Sequence, residues 1–201
     1  MSVEKHQVHE KFIELFQGKF GFTDEEFGEV LSVITIRHLP KKEFYLQAGD
    51  ITRHRAYINK GCTRTFVIDP EGHERILFFG FEDWWIGDFD SITTGKPGVN
   101  YVQAIEDCEL LMIAMEDFDR LEATIPKMHE WNVVKVQRLA TAMWKRVTDL
   151  RTLTPEERYI ELIDRQPHIF ARVPLHYIAA YLNIEPPSLS RMRKRLATKK
   201  S

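Results

Sequence analysis

Long apolar runs are missing from this sequence. No stretch approaches the roughly 20 residues that a membrane-spanning helix needs. The polar opening, Met1 to Glu10, also lacks the apolar segment of a secretory signal. The expectation is a soluble, cytoplasmic protein with no membrane partner. Cysteine is scarce: Cys62 and Cys108 lie far apart and fit no CxxC-type ligand spacing. A disulfide scaffold and a cysteine zinc site are thereby set aside, and the pair reads as buried free thiols. With 201 residues, 43% of them hydrophobic, the chain can build its core without staples. Low-complexity linkers and internal repeats are absent, which argues against a solenoid. Net charge is lacking too, at −2, so the overall balance says nothing about a nucleic-acid partner.

The charge that is present is unevenly spread. Arg172, Arg191, Arg193, Lys194, Arg195, Lys199 and Lys200 face only Glu185 in the last thirty residues, about +6 in sum, which leaves about −8 for the rest. An acidic body with a basic tail points to a polyanion partner confined to the C-terminal end. A plain solubilising charge run is the competing explanation.

Along the chain, Val8, Phe12, Leu15 and Phe16 recur at helical spacing. A second helix is expected from Thr23, with Glu26 closing a capping box and Phe27, Val30, Leu31 and Ile34 on its apolar face. From Ile36 to about Met115, β-prone runs alternate with turn signals: Leu39-Pro40, Ala48-Gly49-Asp50, Lys60-Gly61, Asp69-Pro70-Glu71-Gly72 and Gly95-Lys96-Pro97-Gly98. Tyr57-Ile58, Thr65–Ile68, Arg75–Phe79, Tyr101–Ile105 and Leu110–Ile113 read as strands. Many short strands so spaced predict an antiparallel barrel, sandwich or jelly roll. A short helix with Phe118, Leu121 and Ile125 follows and ends at Pro126.

Next comes a longer helix, about 127–150. Val133, Val136, Ala140, Met143, Val147 and Leu150 alternate three and four residues apart on it. Such a seam suits two helices packed side by side, and it predicts a homodimer. A helix facing its own core would give a similar stripe. Thr154-Pro155-Glu156-Glu157 restarts a helix, with Thr154 as cap and Pro155 at the first helical position; Tyr159, Ile160, Leu162 and Ile163 supply its inward face.

Residues 173–196 read VPLHYIAAYLNIEPPSLSRMRKRL. Leu175, Ile178, Ala179 and Leu182 mark one helix of about eight residues. Asn183 stands where a helix-turn-helix needs a positive φ, and Ile184 fills the apolar turn position. Pro186 and Pro187 open a second helix, whose Leu189, Met192 and Leu196 point inward. Ser188, Arg191 and Lys194 then point outward, flanked by Arg193 and Arg195. Small Ala179 allows two helices to cross closely. A short basic helix with Ser and Arg near its start fits entry into the major groove. An αα-hairpin with a solvated basic face is the bland alternative.

With these residues in view, the sequence resembles the Crp/Fnr family of regulators along nearly its whole length. Gly49 in QAGD, Gly61 in NKGCTR, Gly72 in DPEGHE, WIGD (Trp85 to Asp88) and YIAAYLNIEPPSLSRMRK carry the likeness. The resemblance implies an α+β chain: a cyclic-nucleotide-binding-type antiparallel β-roll, a long dimerisation helix, and a C-terminal helix-turn-helix. The expected division is a sensor with its dimer helix at 1–150 and a DNA-binding domain at 151–201. Arg191 resembles the family's guanine-reading arginine, and Pro187 and Ser188 fall at other base-contacting positions. Arg193, Lys194 and Arg195 complete the expected contacts to double-stranded DNA. Pro186 and Pro187 replace the family's Arg-Glu pair, and a β-wing after Leu196 is absent or minimal.

The sensor departs further from the family. Cyclic-AMP-binding members carry Gly-Glu, then Arg-Ser about ten residues on. Here Gly87-Asp88 and Gly98-Val99 occupy those places, and neither Gly98 nor Val99 can bind a phosphate. Two cysteines cannot supply an iron–sulfur cluster, and no cofactor is expected. The resemblance makes Trp85, Gly87, Asp88, Tyr101 and Thr141 the candidate effector pocket for an unidentified small molecule. RNA polymerase is a partner if the protein activates. A ligand-independent regulator is the alternative. A cupin-like metalloenzyme has little support, since His73-Glu74 is the only nearby ligand pair and adjacent strand residues face opposite ways.

Overall fold

The structure is a computed structural model and describes residues 3–199. It divides into two compact units, one of residues 1–67 with 78–136, the other of residues 68–77 with 137–201.

The first unit begins with α1 (Glu10–Ile13), prolonged by a π-helical turn over Glu14–Lys19, and α2 (Asp24–Ser32). The predicted box starts α2: Thr23 N donates to Glu26 Oε2 at 2.7 Å and Glu26 N to Thr23 Oγ1 at 3.1 Å. The helix stops before Ile34, which was expected on its apolar face. Ile34 instead opens β1 (Ile34–Leu39), and its side chain is buried as a strand residue.

Eight strands make two antiparallel four-stranded sheets. One has the order β1-β8-β3-β6, with β3 (His54–Lys60), β6 (Trp85–Ile86) and β8 (Cys108–Ala114). The other runs β2-β7-β4-β5, with β2 (Phe44–Leu46), β4 (Thr63–Ile68), β5 (Glu74–Gly80) and β7 (Tyr101–Ala104). β2 and β6, at three and two residues, are too short to show a period in the sequence. The central strands β3 and β8 of the first sheet are buried on both faces. Ala56, Ile58, Ile86, Leu110 and Met112 join Val102 and Ala104 in the interior of the roll. The alternate residues Tyr57, Leu111 and Ile113 meet Phe12, Phe16, Phe27, Phe118 and Trp131 of the helices. Burial on both sides is why β8 reads as an unbroken apolar run. Cys62 and Cys108 are both buried and unbridged.

Between β6 and β7 lies α3 (Phe89–Thr94), a helix the sequence reading did not foresee. After β8 come α4 (Met115–Thr124) and α5 (Pro126–Thr152). Pro126 was read as a terminator and in fact also begins the long helix. Extended backbone at Ile125 (φ −117°, ψ 100°) separates the two helices, as a residue before proline prefers.

In the second unit, α6 (Pro155–Arg165) starts on the predicted Thr154–Glu157 box. Tyr159 and Leu162 are buried as expected, but Ile160 is exposed. Next come α7 (Ile169–Arg172), α8 (Leu175–Leu182) and α9 (Pro186–Lys199). Ile169, Val173, Ile178, Ala179, Leu182, Leu189 and Met192 are buried with Tyr159 and Leu162, whereas Leu175 is exposed and Leu196 half-buried. Lys200 and Ser201, counted in the basic tail, lie outside the described residues, as do Met1 and Ser2. Among the described residues no helix is long and apolar enough to cross a membrane.

Candidate functional site

The helix-turn-helix is built by one backbone device. α8 ends at Asn183, whose φ of 55° and ψ of 49° are left-handed. The Asn183 amide donates to the Ala180 carbonyl at 3.1 Å and the Ile184 amide to the Ala179 carbonyl at 3.0 Å. These are the paired bonds of a Schellman turn, and Asn is among the few side chains that tolerate the conformation. Two arginines hold the same helix end. Arg146 donates to the Tyr181 carbonyl, and Arg158 donates to the Leu182 carbonyl at 3.0 and 3.3 Å. Positive groups there complement the negative end of the helix dipole. The Glu185 carbonyl then accepts the first amides of α9, from Ser188 and Leu189.

Of the six side chains expected to meet DNA, Pro187, Arg191, Lys194 and Arg195 are exposed, while Ser188 and Arg193 are half-buried. Arg191 Nη2 donates to Ser188 Oγ at 3.1 Å, so these two stand together one turn into α9. Arg193 and Arg195 are held by their own unit: the Arg193 guanidinium lies 4.9 Å from the Phe170 ring centre, and Arg195 pairs with Glu156. Arg193 and Lys194 also border a cleft of about 630 Å³ with Tyr159, Ile163 and Leu196, away from Ser188 and Arg191.

The expected effector residues do not converge. Trp85, on β6, packs on the helix side of its sheet, at 5.4 Å from Tyr57 and 5.0 Å from Trp131. Its neighbour Ile86 is the one that enters the roll. Tyr101 stacks on Phe66 at 5.0 Å. It lies on the face of β7 opposite Val102 and Ala104, hence outside the roll's interior. Thr141 belongs to the second unit, is exposed, and donates its hydroxyl to the Gln137 carbonyl at 2.8 Å. A Cβ on Gly87 would stand 3.1 Å from Ile92 Cδ1, so the residue serves close packing beneath α3.

Asp88 is the largest correction. Its side chain is 2% exposed and its carboxylate is fully occupied by its own chain. Oδ1 accepts from the Ser91 amide at 2.9 Å, capping α3. Oδ2 accepts from the Val99 and Asn100 amides, both at 3.0 Å. A Cβ on Gly98 would lie 2.4 Å from Asp88 Oδ2. Gly98 is thus the glycine that lets the Asp88 carboxylate fold over the loop, and Val99 points outward with 68% exposure. The segment is closed on itself, with no cation directed into the roll at the two places where the resemblance implies Arg-Ser.

Polar atoms that sequence reasoning missed lie within the roll. The hydroxyls of Thr63 and Thr65 and the Trp84 indole N–H are buried without a hydrogen-bond partner. Thr63 and Thr65 sit across from Ala104 and Val102, on the interior face, and Trp84 packs against the same core. Buried Arg64 alternates to the other face, where its Nε donates to Gln103 at 2.8 Å. Alternation within TRTFV placed both threonines on one face; that they lack partners is a tertiary fact.

Residues 36–124 match the family model described as "Cyclic nucleotide-binding domain". The chain is 26% identical over 125 residues to the cAMP-activated global transcriptional regulator CRP of Salmonella typhimurium, covering 62% of this chain and 56% of that protein. It therefore spans only a little over half the length of the curated relatives it matches. Two solved structures share its fold. FixK2 from Bradyrhizobium japonicum superposes with a TM-score of 0.72 at 15% identity, over 84% of this chain and 86% of that one. The c-di-GMP responsive global regulator CLP of Xanthomonas campestris gives 0.68 at 15% identity, over 89% and 93%. The class is a cyclic-nucleotide-binding-type roll followed by a long helix and a helix-turn-helix. With its parts in that order, the chain is similar in fold to these regulators.

Proposed function

We propose that the protein is a homodimeric, sequence-specific DNA-binding transcription regulator whose β-roll senses a small molecule other than cyclic AMP. Its sensor and dimer helix occupy 1–150 and its DNA-binding domain 151–201. One observation carries the reading: the Schellman turn at Asn183 sets α8 and α9, and the start of α9 presents Ser188 and exposed Arg191 side by side. An arginine there can pair with guanine O6 and N7, and a serine with a base or phosphate. Lys194, Arg193 and Arg195 are assigned to phosphate. The alternating seam on α5 supports the dimer, since Val133, Val147 and Leu150 are exposed within one chain.

The test is a binding titration on cognate and scrambled duplexes at several salt concentrations. Arg191→Ala should cost about 1–3 kcal/mol on the cognate site and relax preference at one base pair per half-site. Lys194→Ala should weaken both duplexes alike and reduce the salt slope by about one unit per protomer. Equal loss on both duplexes for Arg191→Ala would remove its base-reading role.

The ligand reading rests on the roll. Asp88 is occupied, Gly98 has no side chain, and the unpartnered groups inside are neutral hydroxyls and an indole N–H. These favour an uncharged molecule with hydrogen-bond acceptors over a cyclic phosphate. Calorimetry should show cyclic AMP binding weakened by about 10–100-fold relative to a site with a phosphate partner, or no binding. Low-micromolar binding would overturn this.

A further inference from the structure

A lysine without an acid lies where the first sheet meets α5. Lys135 is half-buried, and its Nζ lies 3.9 Å from the Trp85 ring centre and 5.0 Å from that of Trp131. The two indoles meet edge to face at 5.0 Å. Among the described residues the amine has no hydrogen-bond acceptor and no ion pair. Burial, together with repulsion from Arg55, holds it well below the usual lysine range.

The groups around it are donors as well. Arg55, on β3, has its guanidinium 3.6 Å from the Phe118 ring centre and donates from Nη1 to Asn132 Oδ1 at 2.9 Å. Its Nε is buried without a partner, and so is the Trp85 Nε1. Glu122 and Asp119 attract Arg55, and Glu122 Oε1 meets His129 Nδ1 and Asn132 Nδ2. The locality thus holds the Lys135 amine, the Arg55 Nε–H and the Trp85 indole N–H, none of them bonded to an acceptor among the described residues. Unmade bonds of buried polar groups are costly, most of all for charged ones. Aromatic faces offset part of the lysine's desolvation but accept no N–H in the directional sense.

We propose that Lys135, Arg55 and Trp85 form a binding site for a small carboxylate-class anion. A group with two acceptor oxygens suits the arrangement, because Lys135 Nζ, Arg55 Nε and Trp85 Nε1 are all donors left without an acceptor among the described residues. Once bound, it would join β3, β6 and α5 through charge-assisted hydrogen bonds. The site lies on the helix side of the sheet, apart from the roll interior, and does not depend on the DNA-binding reading.

The experiment uses the full chain with its tryptophan indoles labelled with nitrogen-15. Sodium acetate and, in a separate arm, sodium bicarbonate are titrated at ionic strength held constant with sodium chloride. The Trp85 indole resonance, assigned by its loss in Trp85→Phe, should shift saturably with at least one of them, while that of exposed Trp144 stays still. The anion saturating at the lower concentration identifies the preferred ligand. Lys135→Met should weaken the response about tenfold or more, and Lys135→Arg should keep it. Absence of any saturable Trp85 shift in the wild-type chain overturns the proposal, whether or not the variants fold. So does an unchanged response in folded Lys135→Met.

Discussion

Two short segments of this molecule start a helix on an acidic residue, and they use their polar groups in opposite ways. At Asp88 every strong acceptor turns inward: the carboxylate takes the amides of Ser91, Val99 and Asn100 and is almost wholly buried. At Glu185 only the backbone carbonyl is engaged by the helix it precedes, and the next turn leaves Ser188 and Arg191 at the surface. A polar side chain satisfied within its own loop contributes stability. One held in place but left exposed is available to a partner. The comparison separates a segment whose polar groups are used up by its own fold from one whose polar groups stand at the start of an exposed basic helix.

The largest effect is expected at the α5 seam proposed to hold two copies of the chain together. Met143→Glu with Val147→Glu should give monomers by sedimentation and reduce operator affinity by orders of magnitude, because each protomer would then hold one half-site alone. An unchanged dimer would place the seam against the chain's own core. Trp144, 76% exposed beside that seam, should lose solvent accessibility on dimerisation.

Breaking the closed loop comes next. Asp88→Ala should destabilise the protein by about 3 kcal/mol in urea melts, since a cap and two further charged hydrogen bonds vanish together. Gly98→Ala should cost about 1–3 kcal/mol by forcing a Cβ against that carboxylate. Combined, the two should cost less than their sum, because removing the Asp88 carboxylate removes the clash. Strict additivity would mean the loop is not held by this contact.

The smallest effect sharpens the other side of the comparison. Asn183→Ala should cost about 1 kcal/mol in stability through its left-handed backbone, while Asn183→Gly should be close to neutral. Neither should alter base preference. A change in specificity with Asn183→Gly would show that the turn does more than set the angle of α9.

The helix-turn-helix was legible because its signals are local. Asn at the turn, paired prolines at a helix start and a small Ala at the crossing each act within a few residues of chain. The two capping boxes were legible for the same reason. The roll was legible only as a class. Runs such as LLMI reveal burial but not which sheet covers them, and β2 and β6 are held by pairing with distant strands. Ile34 shows the limit well: it continued the spacing of α2, yet its pairing opposite Ile113 made it a strand residue.

By itself, then, the sequence determined where α2 and α6 begin and where α8 gives way to α9, which helix carries basic side chains outward, and that Gly98 and Val99 cannot hold a phosphate. Those properties depend on near neighbours or on side-chain chemistry alone. Tertiary structure decided that Asp88 closes its own loop, that Trp85 and Tyr101 lie outside the roll's interior, and that Lys135 rests on two indoles with no ion pair among the described residues. Each depends on groups brought together from separate strands and helices, and a hydrogen bond or an unmet charge exists only once those groups are within a few ångströms of each other.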